Sequence, residues 1–312
     1  MNAVSVVICT YNRAASLQQT FETCCDLVIP KGVSWELLLV DNNSEDHTKQ
    51  VCDNFTGKLP LRYIFEPRQG KSYALNTAAR VAFADLLLFT DDDVDVDPHW
   101  LAELFAAATR HPEASFFGGR IIPIWDIPPP RWFAQHATSL LSRPLVSFCL
   151  SETEEPANTA IGANMALHKS IFTHGFTYPT HVGPRGNEAV RGEETHLICQ
   201  LRSSGHTGWF VPTAIVLHRT EPHRLTETYV RQWYIGDGMS EVRLGQIPQV
   251  GLWFGVPRFY WKRLILSSIK YGSTRLLPFS KLWLTAAIDM AHAWGVIRES
   301  RKKIRQRQNN SS

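Results

Sequence analysis

Leu86-Leu87-Leu88-Phe89-Thr90-Asp91-Asp92-Asp93 is a short apolar run that ends in three carboxylates. A run of this length, bounded by polar residues, reads as a β-strand buried on both faces. The pattern repeats upstream. Residues 4–9 (VSVVIC) end in Thr10-Tyr11-Asn12-Arg13, and residues 35–40 (WELLLV) end in Asp41-Asn42-Asn43-Ser44. Residues 61–65 read as a third strand before Leu86, and 115–122 as a later one. Helical spacing fills the gaps: residues 14–26, a segment opened by Ser44, Glu45 and Asp46, a segment from Ser72 to Phe83, and one from Pro98 to Arg110. Strands alternating with helices over the first 120 or so residues predict an α/β fold, with a mostly parallel central sheet flanked by helices.

The rhythm then breaks. Pro123, Pro128, Pro129, Pro130 and Pro144 prevent long regular elements between 123 and 157. Residues 160–167 read as a strand, Gly183, Pro184 and Gly186 as a loop, Glu193 to Ser203 as a helix, and Val211 to Leu217 as the last strand. Beyond Thr226 the pattern is helical, with Pro and Gly interruptions.

Composition narrows the class. The chain has 312 residues, 44% hydrophobic and 20% charged, which excludes a disordered, collagen-like or coiled-coil protein. With 32 Lys+Arg against 29 Asp+Glu the net charge is +3, too balanced for a nucleic-acid binder. The balance hides an asymmetry. Residues 256–312 hold 12 Lys+Arg against Asp289 and Glu299 alone, a local +10 that leaves −7 on residues 1–255. The six cysteines form no Cys-x-x-Cys pair and read as free buried thiols of a reducing compartment. The N-terminus lacks the pattern of a signal peptide, and no 18-residue uncharged apolar stretch occurs, so the body of the chain is expected in the cytoplasm.

In open parallel sheets, ligands bind beyond the carboxyl ends of the strands, where the strand order reverses. The polar residues of this sequence concentrate there. Three adjacent carboxylates repel one another unless a cation neutralises them. Their hard oxygens suit Mg²⁺ or Mn²⁺, an ion that completes its shell with substrate phosphates, so Asp91, Asp92 and Asp93 point to a nucleotide diphosphate. Arg68 and Lys71, before a helix N-terminus, are candidate diphosphate contacts. His218, after the apolar run 211–217, is a candidate metal or phosphate ligand. No Gly-x-Gly-x-x-Gly follows the first strand, which argues against a nicotinamide dehydrogenase. Gly70-Lys71-Ser72 lacks the earlier glycine of a P-loop, because that position is Phe65.

Ser5 to Arg13, Leu39 to Ser44 and Thr90 to Asp93 together resemble the nucleotide-sugar half of the family 2 glycosyltransferases of GT-A fold. Gly162-Ala163-Asn164-Met165-Ala166 and Gly192-Glu193-Glu194-Thr195-His196-Leu197 resemble its acceptor half, and the resemblance spans about residues 3–245. It implies a glycosyltransferase domain over 1–245, with a nucleotide-sugar half over about 1–122 and an acceptor half over about 123–245, followed by a basic, aromatic-rich helical tail over 246–312. It further implies that Thr10, Tyr11, Asn12 and Arg13 line the nucleotide-sugar site and that Asp41 contacts the base. Asp91 and Asp92 would hold the donor, Asp93, Asp91 and His218 the metal, and Asn164 would lie on the acceptor side. Glu194 would be the catalytic base, with Glu193 as its rival. The Gln-x-x-Arg-Trp pattern of processive members is absent, and Arg231-Gln232-Trp233 is only a partial echo, which implies addition of one sugar.

The expected reaction moves a sugar, with inversion, from a nucleotide-diphosphate donor (UDP-linked) to a hydroxyl of a glycan or lipid-linked acceptor. Such a reaction fits cell-surface polysaccharide or glycolipid synthesis. One base and one metal suffice for in-line displacement, whereas retaining glycoside hydrolysis needs two carboxylates flanking the bond. Trp253, Phe254, Phe259, Tyr260, Trp261, Trp283 and Trp294 mixed with Lys and Arg suit a helix lying on an anionic membrane surface, so the protein is expected to be peripheral on the inner face of the cell membrane. Two other readings compete: transfer to a polyprenyl phosphate, which needs no base, and a non-catalytic carbohydrate or membrane-binding module.

Overall fold

The structure is a computed structural model and describes residues 2–137, 139–186, 190–274 and 281–309. In chain order the elements are β1 (Ala3–Thr10), α1 (Ala14–Cys24), β2 (Ser34–Asp41), α2 (Thr48–Phe55), β3 (Leu61–Phe65), α3 (Lys71–Val81), β4 (Leu86–Thr90), β5 (Val94–Val96), α4 (Trp100–Arg110), β6 (Phe116–Ile124), α5 (Arg131–Ala134), β7 (Glu155–Ala157), β8 (Asn164–His168), α6 (Ser170–Thr173), α7 (Glu193–Ser203), β9 (Gly208–Arg219), α8 (Glu227–Arg243), β10 (Leu252–Trp253), β11 (Val256–Pro257), α9 (Arg258–Thr274) and α10 (Lys281–Asn309). They form two compact units. One holds Met1–Trp125, Leu145–Thr180 and Glu193–Thr220; the other holds Asp126–Pro144, His181–Gly192 and Glu221–Ser312.

The first unit is built on one sheet, in the order β3-β2-β1-β4-β8-β6-β9-β5, with β7 paired to β9. Strands β3, β2, β1 and β4 are mutually parallel, as their apolar runs predict. Alternate residues feed opposite faces. Val6, Ile8, Leu37, Leu39, Leu86 and Leu88 join one core with α1, α2 and α4. Val7, Leu38, Val40, Leu87 and Phe89 join the other with α3 and α7. The strand expected at 115–122 does not extend the parallel series beside β4. Strand β8, much later in the chain, inserts between them, antiparallel to both β4 and β6. This insertion brings Asn164 opposite Thr90, at the sheet edge where β1, β2 and β4 end. The pairing Val94↔His218 likewise brings the end of β9 beside the acidic run.

Asn164 holds this junction together. It is fully buried; its Oδ1 accepts from Trp100 Nε1 at 2.8 Å, and its Nδ2 donates to the carbonyls of Arg120 and Ala214 at 2.9 and 2.8 Å. The acceptor-side role expected for Asn164 therefore finds no exposed surface, because the whole amide serves the core. Asn164→Ala is expected to cost about 3 kcal/mol of stability, since it strands a buried indole N–H and two carbonyls. Urea unfolding that shows no loss would refute this scaffold role.

In the second unit α10 packs along α8 and α9. A Cβ at Gly238 would overlap the His292 carbonyl and one at Gly295 the Ile235 carbonyl, so both glycines permit a close helix crossing. Arg243 donates to Glu299 at 2.7 Å inside this bundle. Helix α8, expected with the acceptor half, thus packs with the tail helices. Residues 275–280 and 310–312 of the tail lie outside the described residues. Among the described residues no helix is long and apolar enough to cross a membrane. The cysteines are free, but Cys25, Cys149 and Cys199 are exposed rather than buried.

Candidate active site

The strand order 3-2-1-4 reverses between β1 and β4, and the polar strand ends meet there. Thr10, the last residue of β1, donates its hydroxyl to Asp92 Oδ2 at 2.7 Å. Arg13 reaches across to Asp92 Oδ1 at 2.9 Å and Asp93 Oδ2 at 2.8 Å. Lys71, the first residue of α3, pairs with Asp91 at 2.8 Å. The repulsion among three adjacent carboxylates, argued above to demand a cation, is thus partly met by Arg13 and Lys71. Burial pushes Asp92 up to about 6, with Arg13 opposing and Asp93 adding to the rise.

Asp91, Asp93 and His218 bring one ligand atom each to within 4.8 Å of one another. His218 Nε2 lies 3.4 Å from Asp93 Oδ1, and both side chains are buried. Two hard carboxylates and an imidazole suit a divalent ion, so these residues fit the metal role expected of them. A second acid–histidine group, Asp237, Glu241 and His292, lies in the helical unit. There Arg143 clamps Asp237 at 2.6 and 3.0 Å, while His292 and Tyr260 bond Glu241, which makes it a closed ionic network.

Lys71 also reaches Glu194 Oε1, at 3.2 Å, and so spans from the acidic strand end to the start of α7. Burial works against its charge, but Asp91, Glu194 and Glu193 outweigh that and hold it well above the ordinary lysine value. Cys9, Lys71, Asp91, Gly162, Tyr178 and Glu194 share the wall of one small cavity. A Cβ at Gly162 would overlap the Glu194 carboxylate, so the glycine makes room for that side chain. Tyr178, which no sequence pattern singled out, completes the wall. Its ring packs on Phe89 and Phe172, and its buried hydroxyl has no hydrogen-bond partner among the described residues.

The two glutamates differ sharply. Glu194 is 17% exposed on the cavity wall, whereas Glu193 is 2% exposed and its Oε2 has no partner among the described residues. Burial, and secondarily the Glu194 charge, push Glu193 up to about 8 from 4.5. Between these values the unfolded chain releases the proton that the folded chain keeps, so folding stability falls as pH rises from about 4.5 to about 8 and levels off above. Glu193→Gln is expected to flatten that slope in urea titrations across the window; an unchanged slope would exclude a buried, protonated Glu193.

The remaining expected residues are placed less directly. Asp41 is buried, and both its oxygens are taken, Oδ1 by the Ser44 N–H at 2.9 Å and Oδ2 by the Tyr63 hydroxyl at 2.7 Å. Asn12, at φ 51°, donates its N–H to Ser44 Oγ and accepts from the Glu45 N–H, while Tyr11 is exposed beside it. Arg68 is bonded through Nε and Nη2 to the buried Glu66, both at 2.8 Å, and stacks on Tyr73. It is therefore not drawn to the acidic cluster, as Lys71 is.

Comparison with known proteins gives the family and the fold. The chain is 26% identical over 202 residues to the glucosyl-dolichyl phosphate glucuronosyltransferase of Haloferax volcanii, covering 64% of this chain and 63% of that protein, so it spans less than two thirds of that relative. It is 25% identical over 241 residues to the glycosyltransferase AglE of the same organism, covering 77% and 73%. Among solved structures, the mannosyltransferase PcManGT from Pyrobaculum calidifontis, in complex with GDP-Man and Mn²⁺, superposes with a TM-score of 0.64 at 16% identity over 95% of this chain and 86% of that one. The fold is that of the GT-A glycosyltransferases. The model for "Glycosyl transferase family 2" matches residues 5–176, the stretch that carries the acidic strand end and its counter-ions, and the chain belongs to that family.

Proposed function

We propose that this protein transfers a single sugar, with inversion, from a nucleotide-diphosphate sugar to a hydroxyl of a glycan or lipid-linked acceptor. One observation carries the reading: Asp91 of the acidic strand end and Glu194 of α7 line the same cavity, bridged by Lys71. In this reading Glu194 accepts the proton of the incoming hydroxyl, a step typically worth 10²–10⁴-fold. Lys71 holds the Glu194 and Asp91 carboxylates at a fixed separation. Tyr178 offers its buried hydroxyl to a sugar hydroxyl entering the cavity. Arg13 keeps Asp92 and Asp93 aligned, and Asp41 braces the Asn12–Ser44 corner against which the base would lie. A divalent ion held by Asp91, Asp93 and His218 would neutralise charge on the departing diphosphate.

PcManGT, with its bound GDP-Man and Mn²⁺, supports the donor class and the ion. The glucosyl-dolichyl phosphate in the name of the Haloferax relative supports a lipid-linked acceptor, and a peripheral place on the inner face of the cell membrane is part of the same proposal. The test is a panel of UDP-, GDP- and other nucleotide sugars, scored for nucleotide release with and without Mg²⁺ or Mn²⁺. Metal-dependent release from one donor, raised by an acceptor and lost in Glu194→Gln, is expected. Release identical in wild type and Glu194→Gln would overturn the assignment of the base.

A further inference from the structure

Strands β10 and β11 pair as a hairpin whose tip is Phe254-Gly255. Phe254 adopts φ +49° and Gly255 φ +74°. A left-handed backbone is costly for a bulky residue, yet here it presents an aromatic ring to solvent: Phe254 is 81% exposed and Trp253 54%. Helix α9 follows at once and is apolar on two faces, with Tyr260, Trp261 and Leu264 packed in the bundle core. Its buried residues are Tyr260 and Ser267, while Phe259, Ile265, Leu266 and Ile269 face outward, Ile269 at 65% exposure. A helix serving only this bundle would point those side chains inward. Contiguous exposed apolar surface of this kind marks an interaction site.

The charges around the patch select its occupant. Between Leu252 and Ile288 the sequence has no acidic residue, and Arg258, Lys262 and Lys270 are exposed along the apolar stripe. A Cβ at Gly255 would overlap Ile304 Cδ1, so the hairpin tip seats against the end of α10, where Arg301, Lys302 and Arg305 are exposed. The nearby acids are already taken: Glu299 by Arg243 and Asp289 by Arg263. A ring of cations around aromatic and aliphatic side chains matches the boundary of an anionic bilayer, where apolar groups enter the acyl region and Lys and Arg stay with the phosphates. We infer that the β10–β11 tip, the outer face of α9 and the basic end of α10 form one surface that docks on anionic lipid. This rests on the peripheral-membrane part of the proposal above and is independent of the transfer chemistry.

The test is co-sedimentation of the full chain with phosphatidylcholine vesicles, with and without phosphatidylglycerol. The wild type is expected to partition onto the anionic vesicles and to be released by salt. Trp253→Ser with Phe254→Ser, and separately Arg301→Glu with Lys302→Glu, are each expected to lower the partition coefficient by on the order of tenfold or more. Both variants should keep the wild-type circular dichroism and nucleotide affinity, because neither pair belongs to the residues assigned to donor, metal or base. Wild type left in the supernatant, or either variant binding as wild type does, overturns the inference. So does a dimer in analytical ultracentrifugation that the tip variant dissolves, since a second copy would then cover the patch. Loss of nucleotide binding in the wild type would instead sink the transfer reading and leave this one standing.

Discussion

Glu194→Gln is expected to lower kcat by about 10²–10⁴-fold while leaving the donor KM nearly unchanged. The amide has the volume of the carboxylate and its oxygen still accepts from Lys71, so the cavity wall set by Gly162, Lys71 and Tyr178 should survive. What disappears is the capacity to take a proton. The neighbouring variant Glu193→Gln is the control. Glu193 is buried, and burial with the Glu194 charge pushes it up to about 8, which favours its protonated form at neutral pH, so its amide should cost little activity. Initial rates with saturating donor measure both. A large loss in Glu193→Gln with activity kept in Glu194→Gln would reverse the assignment. Full activity in both would mean an acceptor that arrives already anionic, the polyprenyl-phosphate reading, because a phosphate oxygen needs no base.

Much of the fold around this site is legible in the sequence. Strands β1, β2 and β4 are buried almost throughout, and such strands write themselves as unbroken apolar runs with polar residues at their ends. The start of α7 at Glu193 was equally plain. The insertion of β8 between β4 and β6 was not, because strand order depends on packing between segments far apart in the chain. Where individual polar side chains go was also hidden. Arg68 and Asp41 read as ligand contacts in a linear reading; the sequence does not show that Arg68 bonds Glu66 or that Asp41 bonds Ser44 and Tyr63. Asn164 carries a motif position yet spends its amide on Trp100 and two carbonyls. Tyr178 sits in a loop without periodicity and gave no signal at all. In the tail the aromatic and basic composition was legible. The exposed apolar face of α9 was not, since exposure follows from which side the bundle covers.

Asp93→Asn should abolish the metal dependence of nucleotide binding and lower kcat by on the order of 10²–10³-fold, the usual cost of losing one electrostatic element that stabilises developing charge. Asp93, Asp91 and His218 converge within 4.8 Å, and the Asp93 side chain is 4% exposed. The variant should fold. Arg13 keeps its bond to Asp92, and removing the Asp93 charge also removes one of the causes that push Asp92 up. Calorimetric titration of UDP and GDP with and without Mn²⁺, alongside the Mn²⁺ paramagnetic resonance signal, separates the possibilities. In the wild type Mn²⁺ should tighten nucleotide binding and the bound ion should be seen; in Asp93→Asn neither should occur, and the metal-free affinity should be unchanged. If Mn²⁺ tightens binding equally in both, the ion does not sit on Asp93. If it tightens neither, the charge on the leaving diphosphate must be met by side-chain cations of the strand end such as Arg13 and Lys71.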